Sequence, residues 1–371
     1  MKRPRLKDIA EQVGCSIAVV SHVVNQSSGN ISCRDELRDL ILQTAAELNY
    51  VPHYASRVFK SQHTRTIGLY IPPMEDASIG YPYESTLLVG IERVFREKAY
   101  DLLVISPGNQ SHDAECVAAL NARRVDGLIL LHVESNANWM HALADKKRNI
   151  MAINYYGDAS IDTLNFNDKA AAGMAVSELH RAGHRRIAYI GPTHPNAGRS
   201  ARLRLEGFVS TCVSLGVTVT PALIFDETFP GAVPLARAVN SEFQVAKRIA
   251  ESIAAHPPNL RPTAIVGYSD PCTVYVIREL QRLDLRFPAD ISAVGIGDSN
   301  ICPFVQPQLS SVRQPLIAMG EEVANRITEQ SEHPLGWQAP IRGKKSRWYK
   351  LAEPTYIPRE SVRSLNTGSI H

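Results

Sequence analysis

A chain of 371 residues is too long for a single compact core, so we expect two or three domains. Hydrophobic residues make up 44% of the chain and charged residues 21%, a balance that is typical of globular proteins and excludes a disordered or fibrous one. The net charge of +3 is confined to residues 1–65, which hold nine Lys and Arg against six Asp and Glu. A basic segment suits contact with nucleic acid, although a chance imbalance of three charges explains it equally well.

Two absences narrow the class of protein further. No apolar run approaches the roughly 18–20 residues that span a bilayer, and no apolar segment follows the basic N-terminal residues as it would in a secretory signal. The six cysteines are scattered without a C-x-x-C pair, which argues against a zinc site or a disulfide framework. We therefore expect a cytoplasmic protein with free thiols and no membrane contact.

The spacing of apolar residues predicts three short helices in the first fifty residues. The first ends before Gly14, the second has Ser16 as its N-cap, and the third begins at Ser32 with Asp35 as its capping-box partner. Two short helices around a tight turn, braced by a longer third, form the helix-turn-helix arrangement. The residues expected to be buried are Leu6, Ile9, Ala10, Val13, Val20, Val23, Val24, Leu37, Leu40, Ile41 and Leu48.

The outer face of the second helix is small and polar. Ala18, Ser21, His22 and Asn25 share this face, and Ile17 lies at its N-terminal tip. A helix that enters the major groove of DNA needs small side chains there, and polar groups can meet phosphates or base edges. The face predicts a recognition helix, while an interaction module with a merely solvated polar face fits the spacing equally well.

Several runs of sequence in this region resemble one family. The segments LKDIA (6–10), VGCS (13–16), VSHVVN (20–25) and ELNYVP (47–52) resemble the headpiece of the LacI/GalR family of bacterial transcription regulators. The resemblance continues through TRTIGL (64–69), where the regulatory core of that family begins, and covers the chain to about residue 330. It implies sequence-specific DNA binding.

The resemblance also assigns roles on the second helix. Val19 departs from the family, which usually has Thr there, so we expect one phosphate contact to be weakened without a change in specificity. The implied base-reading residues are Ile17, Ala18 and His22, and the implied phosphate-contacting or capping residues are Ser16, Ser21 and Asn25.

Residues 51–63 correspond to the hinge segment of the family. An isolated helix of this length is marginal in water, and in the family it forms only when two copies meet in the minor groove and insert a pair of Leu side chains. Phe59 stands at that position here, as an apolar wedge that can unstack a base step, with Arg57 and Lys60 facing the DNA backbone. The alternative is that Phe59 packs the hinge against the core.

From residue 66 onward, apolar strand-like runs alternate with longer helical patterns, which predicts parallel sheets covered by helices on both faces. There is no G-x-G-x-x-G or Walker A sequence, which argues against a dinucleotide or nucleotide enzyme. About nine strands exceed one doubly wound domain, so we expect two lobes, in a core that resembles the periplasmic-binding-protein fold. The predicted strands are 67–71, 101–106, 127–131, 151–154, 186–190, 222–225, 264–268 and 291–294, and the predicted helices include 83–98, 169–182, 200–215, 241–256 and 271–283.

Ligands of open α/β sheets bind beyond the carboxyl ends of the strands, so residues there are candidates for binding an effector between the lobes. By resemblance, Tyr83 matches an aromatic residue against the ligand, Asn154 a polar or acidic ligand position, and Arg204 the Arg that commonly holds the effector. The further candidates are Phe208, Ser269, Asp270 and Asp298. The connection around His184, GHRRI (183–187), also matches the family and is interpreted as structural.

The segment VGIGD (294–298) departs from the sugar binders of the family, which usually have an aromatic residue followed by two acidic or Asp/Asn residues. Ile296 replaces the aromatic residue and Gly297 the first polar one. With Asn154 also neutral, the pocket becomes less negative, and an Arg such as Arg204 pairs well with a carboxylate or phosphate. These departures favour an anionic effector such as a sugar acid, with a neutral sugar as the alternative.

The segment before the C-terminus is longer than the family usually carries. Residues 331–356 contain Trp337 and a basic cluster that we interpret as a solvated loop, with an accessory contact to DNA or a partner as the alternative. The run IPRES (357–361) resembles the closing strand of the family. The cluster comprises Lys344, Lys345, Arg347 and Lys350.

The predicted fold class is an N-terminal all-α helix-turn-helix headpiece followed by an α/β, periplasmic-binding-protein-like core of two doubly wound parallel-sheet lobes. The expected domains are 1–50 for the headpiece, 51–65 for the hinge and 66–371 for the core. Within the core, the N-lobe is expected over about 66–162 plus 312–330, and the C-lobe over about 163–311 plus 331–371.

The expected function is that of a homodimeric transcription regulator, most simply a repressor, that binds a pseudo-palindromic operator. A small molecule between the lobes, a sugar or a sugar acid, would control operator affinity, and whether two dimers form a tetramer stays open. A solute-binding protein of a sugar transporter shares the core fold but has no use for a headpiece. An enzyme is a third class, but we find no nucleophile–base pair or metal cluster in the sequence, and we expect no cofactor.

Overall fold

The computed structural model describes residues 4–25, 33–50, 63–71, 81–105, 112–133, 139–144, 149–157, 159–193, 198–226, 235–329, 335–338 and 348–366. The chain divides into two compact units, Met1–Arg65 and Thr66–His371. Among the described helices, none is both long enough and apolar enough to cross a membrane.

The first unit contains the three predicted helices, α1 (Leu6–Val13), α2 (Ile17–Val24) and α3 (Asp35–Glu47). Gly14 adopts φ +73° and ends α1, which lets the chain turn into α2. The apolar faces of the three helices meet in one small core. Its buried members are Ile9, Ala10, Val20, Val23, Ile41 and Ala45.

Two expectations for α3 are wrong. The helix begins at Asp35, three residues after the predicted start at Ser32, and Ser32 lies outside the described residues. Leu40 is 47% exposed, not buried. The reason is the period of the helix: Ile41 and Ala45 set the inward face, and Leu40 lies about 100° away from Ile41 around the helix axis.

In the second unit, one sheet contains six described strands, all parallel, in the order β11-β5-β4-β3-β1-β2. We call it the N-lobe sheet. Its strands are β1 (Thr66–Tyr70), β2 (Asp101–Ile105), β3 (Gly127–Leu130), β4 (Asn149–Ile153), β5 (Asp162–Phe166) and β11 (Tyr349–Ala352), and the helices of this lobe are α4 (Pro82–Lys98), α5 (His112–Asn121), α6 (Trp139–Ala144) and α11 (Leu316–Glu329).

The second sheet also contains six described strands, in the order β12-β10-β9-β8-β6-β7, and only β12 runs antiparallel to its neighbour. We call it the C-lobe sheet. Its strands are β6 (Ile187–Gly191), β7 (Ile224–Asp226), β8 (Ala264–Gly267), β9 (Ser292–Gly297), β10 (Ser310–Arg313) and β12 (Thr355–Ile357), and its helices are α7 (Asp168–Arg181), α8 (Arg199–Ser214), α9 (Leu235–Ala255) and α10 (Asp270–Arg282).

The two doubly wound lobes of the prediction are thus confirmed. Within the described ranges, the chain passes between the two sheets three times: at Asn167, at 314–315 and at 353–354. At the first and third passages, the Asn167 side chain donates to the Glu353 carboxylate over 3.0 Å. This hydrogen bond joins two of the connecting segments.

The sheet membership corrects the expected lobe boundaries at three places. The smallest correction concerns residues 312–313, which were expected in the N-lobe but end strand β10 of the C-lobe sheet. All of β5 lies in the N-lobe sheet, although the sequence placed the change of lobe at 162/163. Strand β11 lies there as well, although residues 331–371 were expected in the C-lobe. Strand β11 escaped detection because it is a half-exposed edge strand without the apolar run of a buried one.

The same strand corrects part of the basic cluster. Lys350 lies on β11, and its ammonium group pairs with Glu322 at 2.9 Å. Trp337 is buried and donates from Nε1 to the same carboxylate at 2.6 Å. The interpretation of the cluster as a solvated loop is therefore wrong for Lys350, while Lys344, Lys345 and Arg347 lie outside the described residues.

Candidate functional site

The helix α2 has the local structure expected of a recognition helix. Ser16 adopts an extended conformation, and its Oγ accepts a hydrogen bond from the Val19 N–H over 3.3 Å. This satisfies one of the free N–H groups at the start of the helix. The Ser16 side chain therefore caps the helix, and its proposed contact with phosphate would be made from that position.

Only part of the outer face of α2 is exposed to solvent. Ile17 is 48% exposed and Ala18 is exposed, whereas Ser21, His22 and Asn25 are partly buried. Asn25 donates from Nδ2 to the Ser21 carbonyl oxygen over 2.8 Å and to its Oγ over 3.3 Å. The free surface at the N-terminal end of α2 is thus formed by Ile17 and Ala18. The predicted hinge contacts Arg57 and Phe59 lie outside the described residues.

Beyond the carboxyl ends of the N-lobe strands, polar side chains gather around the start of α4. Asn154 follows β4 with φ +54°, accepts the Phe166 N–H at 2.8 Å and donates to the Tyr83 hydroxyl at 2.9 Å. The Tyr83 ring lies 5.6 Å from the His132 ring, and His132 Nε2 lies 2.6 Å from a carboxylate oxygen of Glu84. We call Tyr83, Glu84, His132 and Asn154 the N-lobe wall.

Beyond the C-lobe strands, a buried ion pair forms the facing group. Arg204 donates from Nε to Asp168 over 2.6 Å and from Nη1 to the Tyr268 carbonyl oxygen over 2.6 Å, and its guanidinium lies 4.7 Å from the centre of the Tyr268 ring. The Tyr156 hydroxyl, which follows β4 of the other lobe, donates to the second oxygen of Asp168 over 3.3 Å. We call Asp168, Arg204 and Tyr268 the C-lobe wall.

Charged groups of both walls influence the pKa values of the tyrosines at the site. Burial raises the pKa of Tyr83 well above its usual range, and the carboxylates of Glu84 and Asp168 raise it further while Arg204 lowers it. Burial likewise raises the pKa of Tyr156, with Asp168 adding to the effect. Burial alone would lower the pKa of Arg204, but Asp168 more than offsets it. The site therefore combines neutral phenols with one ionised pair.

Three of the predicted effector residues, Tyr83, Asn154 and Arg204, thus converge on one site. Phe208 lies in the apolar core, with its ring 5.3 Å from that of Tyr189. Ser269 accepts the Cys272 N–H over 3.4 Å and caps α10. These two side chains have structural partners that the sequence did not predict.

The two predicted aspartates are also engaged by protein groups. Asp270 is buried and accepts hydrogen bonds from the Ser299 N–H at 2.7 Å and the Ser311 hydroxyl at 2.5 Å. Asp298 pairs with Arg313 at 2.7 Å and with Arg359 at 2.6 Å. Both carboxylates therefore hold the ends of β9 and β10 in place, and a role in effector binding stays a prediction.

The sequence reasoning missed Asp168, Glu84, His132 and Tyr156. Asp168 stands just after β5, so a correct prediction of that strand would have placed this carboxylate at the edge where ligands bind. His132 follows β3 in the same way. Asp168 also removes the argument for an anionic effector, because it supplies the negative charge that the sequence appeared to lack and neutralises Arg204.

Comparison with known proteins agrees with this architecture. Residues 5–53 match the family described as bacterial regulatory proteins, lacI family, and residues 176–362 match the periplasmic binding protein-like domain. The ribose operon repressor of Haemophilus influenzae is 26% identical over 362 residues, covering 97% of this chain and 99% of that protein.

Two solved structures share the fold. The lac repressor dimer bound to operator and the anti-inducer ONPF superposes with a TM-score of 0.75 at 22% identity, over 98% of this chain and 100% of the other. The transcriptional regulator CelR in complex with cellobiose does so with a TM-score of 0.61 at 21% identity, over 97% and 100%.

The chain therefore belongs to the LacI family of transcription regulators, with a helix-turn-helix headpiece and a periplasmic-binding-protein-like core. Its activity is DNA binding in transcription regulation, and members of this family are not enzymes. The headpiece distinguishes the chain from a solute-binding protein, which was the alternative with the same core fold.

Proposed function

We propose that this chain is a homodimeric repressor whose affinity for a pseudo-palindromic operator is controlled by a neutral sugar bound between the N-lobe wall and the C-lobe wall. In this proposal residues 1–50 bind the major groove, 51–65 form the hinge with Arg57 and Phe59 at the minor groove, and 66–371 bind the effector. One recognition helix per chain suits one half-site per subunit.

The buried pair of Arg204 and Asp168 carries the proposal. Asp168 is the first residue of α7, directly after the chain passes between the lobes at Asn167. Tyr156 reaches the same carboxylate from the N-lobe side. A ligand that contacts this pair therefore meets groups from both lobes at a connecting segment, so its binding energy can depend on how far the lobes are closed.

The charge of the two walls favours a neutral sugar over a sugar acid. The Arg204 guanidinium is already paired with Asp168, so it offers a hydrogen-bond donor without an uncompensated positive charge. Sugar hydroxyls both donate and accept hydrogen bonds. They are matched by the guanidinium donors, by the carboxylate acceptors, and by the Tyr and Asn side chains, which can do both. The names of the ribose operon repressor and of the CelR–cellobiose complex are consistent with this ligand class.

A thermal-shift screen of the full chain against sugars, sugar acids and nucleobases tests the proposal. A ligand at about 100 times its Kd stabilises the protein by about 2.7 kcal/mol. We expect stabilisation by a neutral sugar that Arg204→Ala abolishes and that Arg202→Ala, an exposed arginine on the same helix, retains. Stabilisation by a sugar acid alone, or an undiminished shift in Arg204→Ala, would contradict it.

A further inference from the structure

The N-lobe wall contains a buried carboxylate that has one unpaired oxygen. The side chain of Glu84 is only 3% exposed. Its Oε1 lies 2.6 Å from His132 Nε2, whereas Oε2 is buried and has no hydrogen-bond partner among the residues that the structure describes. A carboxylate oxygen that is removed from water without a partner costs free energy, so this position favours a hydrogen-bond donor that comes from outside the chain.

The carboxylate of the C-lobe wall differs in this respect. One oxygen of Asp168 accepts a hydrogen bond from Arg204 Nε over 2.6 Å, and the other accepts from the Tyr156 hydroxyl over 3.3 Å. Both oxygens of Asp168 are therefore bonded to groups of the protein itself. Of the two wall carboxylates, Glu84 is the one that has an acceptor left for a ligand.

The position of Glu84 places this acceptor among the other groups of the N-lobe wall. Glu84 lies in the first turn of α4, next to Tyr83, and its partner His132 follows β3. The His132 ring lies 5.6 Å from the Tyr83 ring, and the Tyr83 hydroxyl is bonded to Asn154 over 2.9 Å. All four side chains therefore lie beyond the carboxyl ends of the N-lobe strands, where open sheets bind ligands.

His132 orients the carboxylate of Glu84. A carboxylate accepts hydrogen bonds and does not donate them, so His132 Nε2 donates to Oε1. The backbone of His132 has φ +52°, in the left-handed region that few residues other than glycine adopt. This conformation directs the ring toward Glu84, and the hydrogen bond limits the rotation of the carboxylate.

We propose that Glu84 determines effector specificity by accepting, at Oε2, a hydrogen bond from one hydroxyl of the bound sugar, and that His132 is the positioning residue that holds the carboxylate for it. This inference rests on the proposed function, because it needs a neutral sugar at the site. A site with a buried hydrogen-bonding group rejects an analogue that lacks the matching hydroxyl, since the group stays unpaired in that complex.

Calorimetry of the full chain with monodeoxy sugars tests the inference. The parent sugar is the neutral sugar that gives the largest shift in the thermal screen, and the probes are its monodeoxy derivatives. For the unaltered chain, we expect the derivative that lacks the hydroxyl bonded to Glu84 to bind about 10- to 100-fold more weakly than the parent. If no neutral sugar stabilises the chain, the proposed function itself is contradicted and the inference falls with it.

The Glu84→Met variant identifies which hydroxyl is bonded to Glu84. Methionine has a similar length but no acceptor, so the affinity ratio of parent to that one derivative should fall below about threefold, while the ratios for the other derivatives stay. Glu84→Gln should lower the same ratio and serves if Glu84→Met does not fold. The control is Glu279→Gln, which alters a buried glutamate of the C-lobe and should leave every ratio unchanged.

Two variants of His132 test its positioning role. His132→Gln keeps an N–H donor for Glu84 and should retain the affinity ratio, whereas His132→Phe has no donor and should lower it. If Glu84→Met leaves the ratio of every derivative as it is in the unaltered chain, Glu84 does not contact the sugar and the inference is overturned. Unchanged ratios in His132→Phe would overturn the positioning role of His132.

Discussion

Arg204 and Asp168 are both almost fully buried, with side chains 8% and 0% exposed. Desolvating two charges is costly, and their attraction offsets that cost only because further hydrogen bonds satisfy the remaining atoms. Here Tyr268 and Tyr156 supply those bonds. The pair therefore stabilises the fold only while both charges are present, since either charge buried without its partner would be destabilising.

This condition leads to a stability prediction for the pair. Arg204→Met leaves Asp168 buried without its partner and should lower the free energy of unfolding by about 3–5 kcal/mol in urea titration. Adding Asp168→Asn should recover part of the loss because no uncompensated charge remains. Arg202→Met is the matched control and should change the value by less than about 0.5 kcal/mol. A loss no larger than that of the control would show that the pair contributes nothing.

The lowered pKa of the buried His184 leads to a prediction of how the free energy of unfolding depends on pH. Its ring is buried between Thr263, at 3.0 Å, and the Arg363 carbonyl oxygen, at 3.1 Å, and burial lowers its pKa to about 4 from 6.5. Between these values the unfolded chain binds a proton that the folded chain does not. His184 thus favours folding above pH 6.5, and up to about 3 kcal/mol is lost as pH falls toward 4.

Urea titrations of the unaltered chain and of His184→Gln at pH 7.5 and pH 5.0 measure this effect. We expect the unaltered chain to lose more free energy of unfolding between the two pH values than the variant does. An equal loss in both proteins would mean that other groups account for the pH dependence. The burial of His184 and its two hydrogen bonds are consistent with the structural interpretation of the connection GHRRI.

Individual site residues could be predicted from the sequence where a local sequence pattern indicated them. Tyr83, Asn154 and Arg204 were found because family resemblance and strand ends pointed to them. Their partners Asp168 and His132 depend on strands meeting at one edge of a sheet, which short-range patterns do not encode. Gly297 was interpreted as the loss of a polar effector residue, but the structure gives it a backbone role. Its φ is +136°, and an added Cβ would lie 2.9 Å from an Asp270 oxygen, so a side chain at this position would be strained.

Among the secondary-structure elements, the backbones of helices α4 and α11 of the N-lobe approach each other unusually closely. A Cβ added to Gly90 would lie 2.0 Å from the Ile317 carbonyl oxygen, and one added to Gly320 would lie 2.2 Å from that of Leu87. Ion pairs from Arg93 and Lys98 join the two helices at their exposed edges. Each glycine is thus required by the approach of the other helix.

Gly320→Ala should therefore force α4 and α11 apart. We expect the free energy of unfolding to fall by about 3 kcal/mol or more, because the clash is with backbone atoms that cannot move aside as a side chain can. Gly198→Ala is the control, since no atom of the residues that the structure describes lies within 4 Å of its added Cβ. Similar unfolding midpoints for the two variants would contradict the close packing.

The strands with a clear apolar pattern were predicted from the sequence, and those with polar residues were not. The buried strands β1, β3, β6 and β8 are continuous apolar runs, and the sequence predicted each to within one residue at either end. Strands β5, β10 and β11 contain Asp, Asn, Ser or Lys and were not predicted. Their pairing depends on the neighbouring strands and on polar partners such as Asp270, so local propensity carries little information about them.

For the whole molecule, the division at Arg65 predicts two separable activities. The chain without residues 1–65 should remain folded, bind the same sugar with unchanged affinity by calorimetry, and lose all operator binding. The physical reason is that the headpiece has a hydrophobic core of its own, which includes Ile9, Val20 and Ile41. Salt-sensitive, sequence-specific DNA binding by residues 66–371 would contradict this division of roles.

The coupling between the two activities is the central claim, and one measurement tests it most directly. Fluorescence anisotropy of a labelled operator duplex, titrated with the full chain, gives operator affinity with and without the sugar that stabilises the protein. We predict that the sugar changes this affinity by about 5–150-fold, the usual range of allosteric coupling, and that it has no effect on Arg204→Ala. An operator affinity that the bound sugar leaves unchanged in the unaltered chain would contradict the claim.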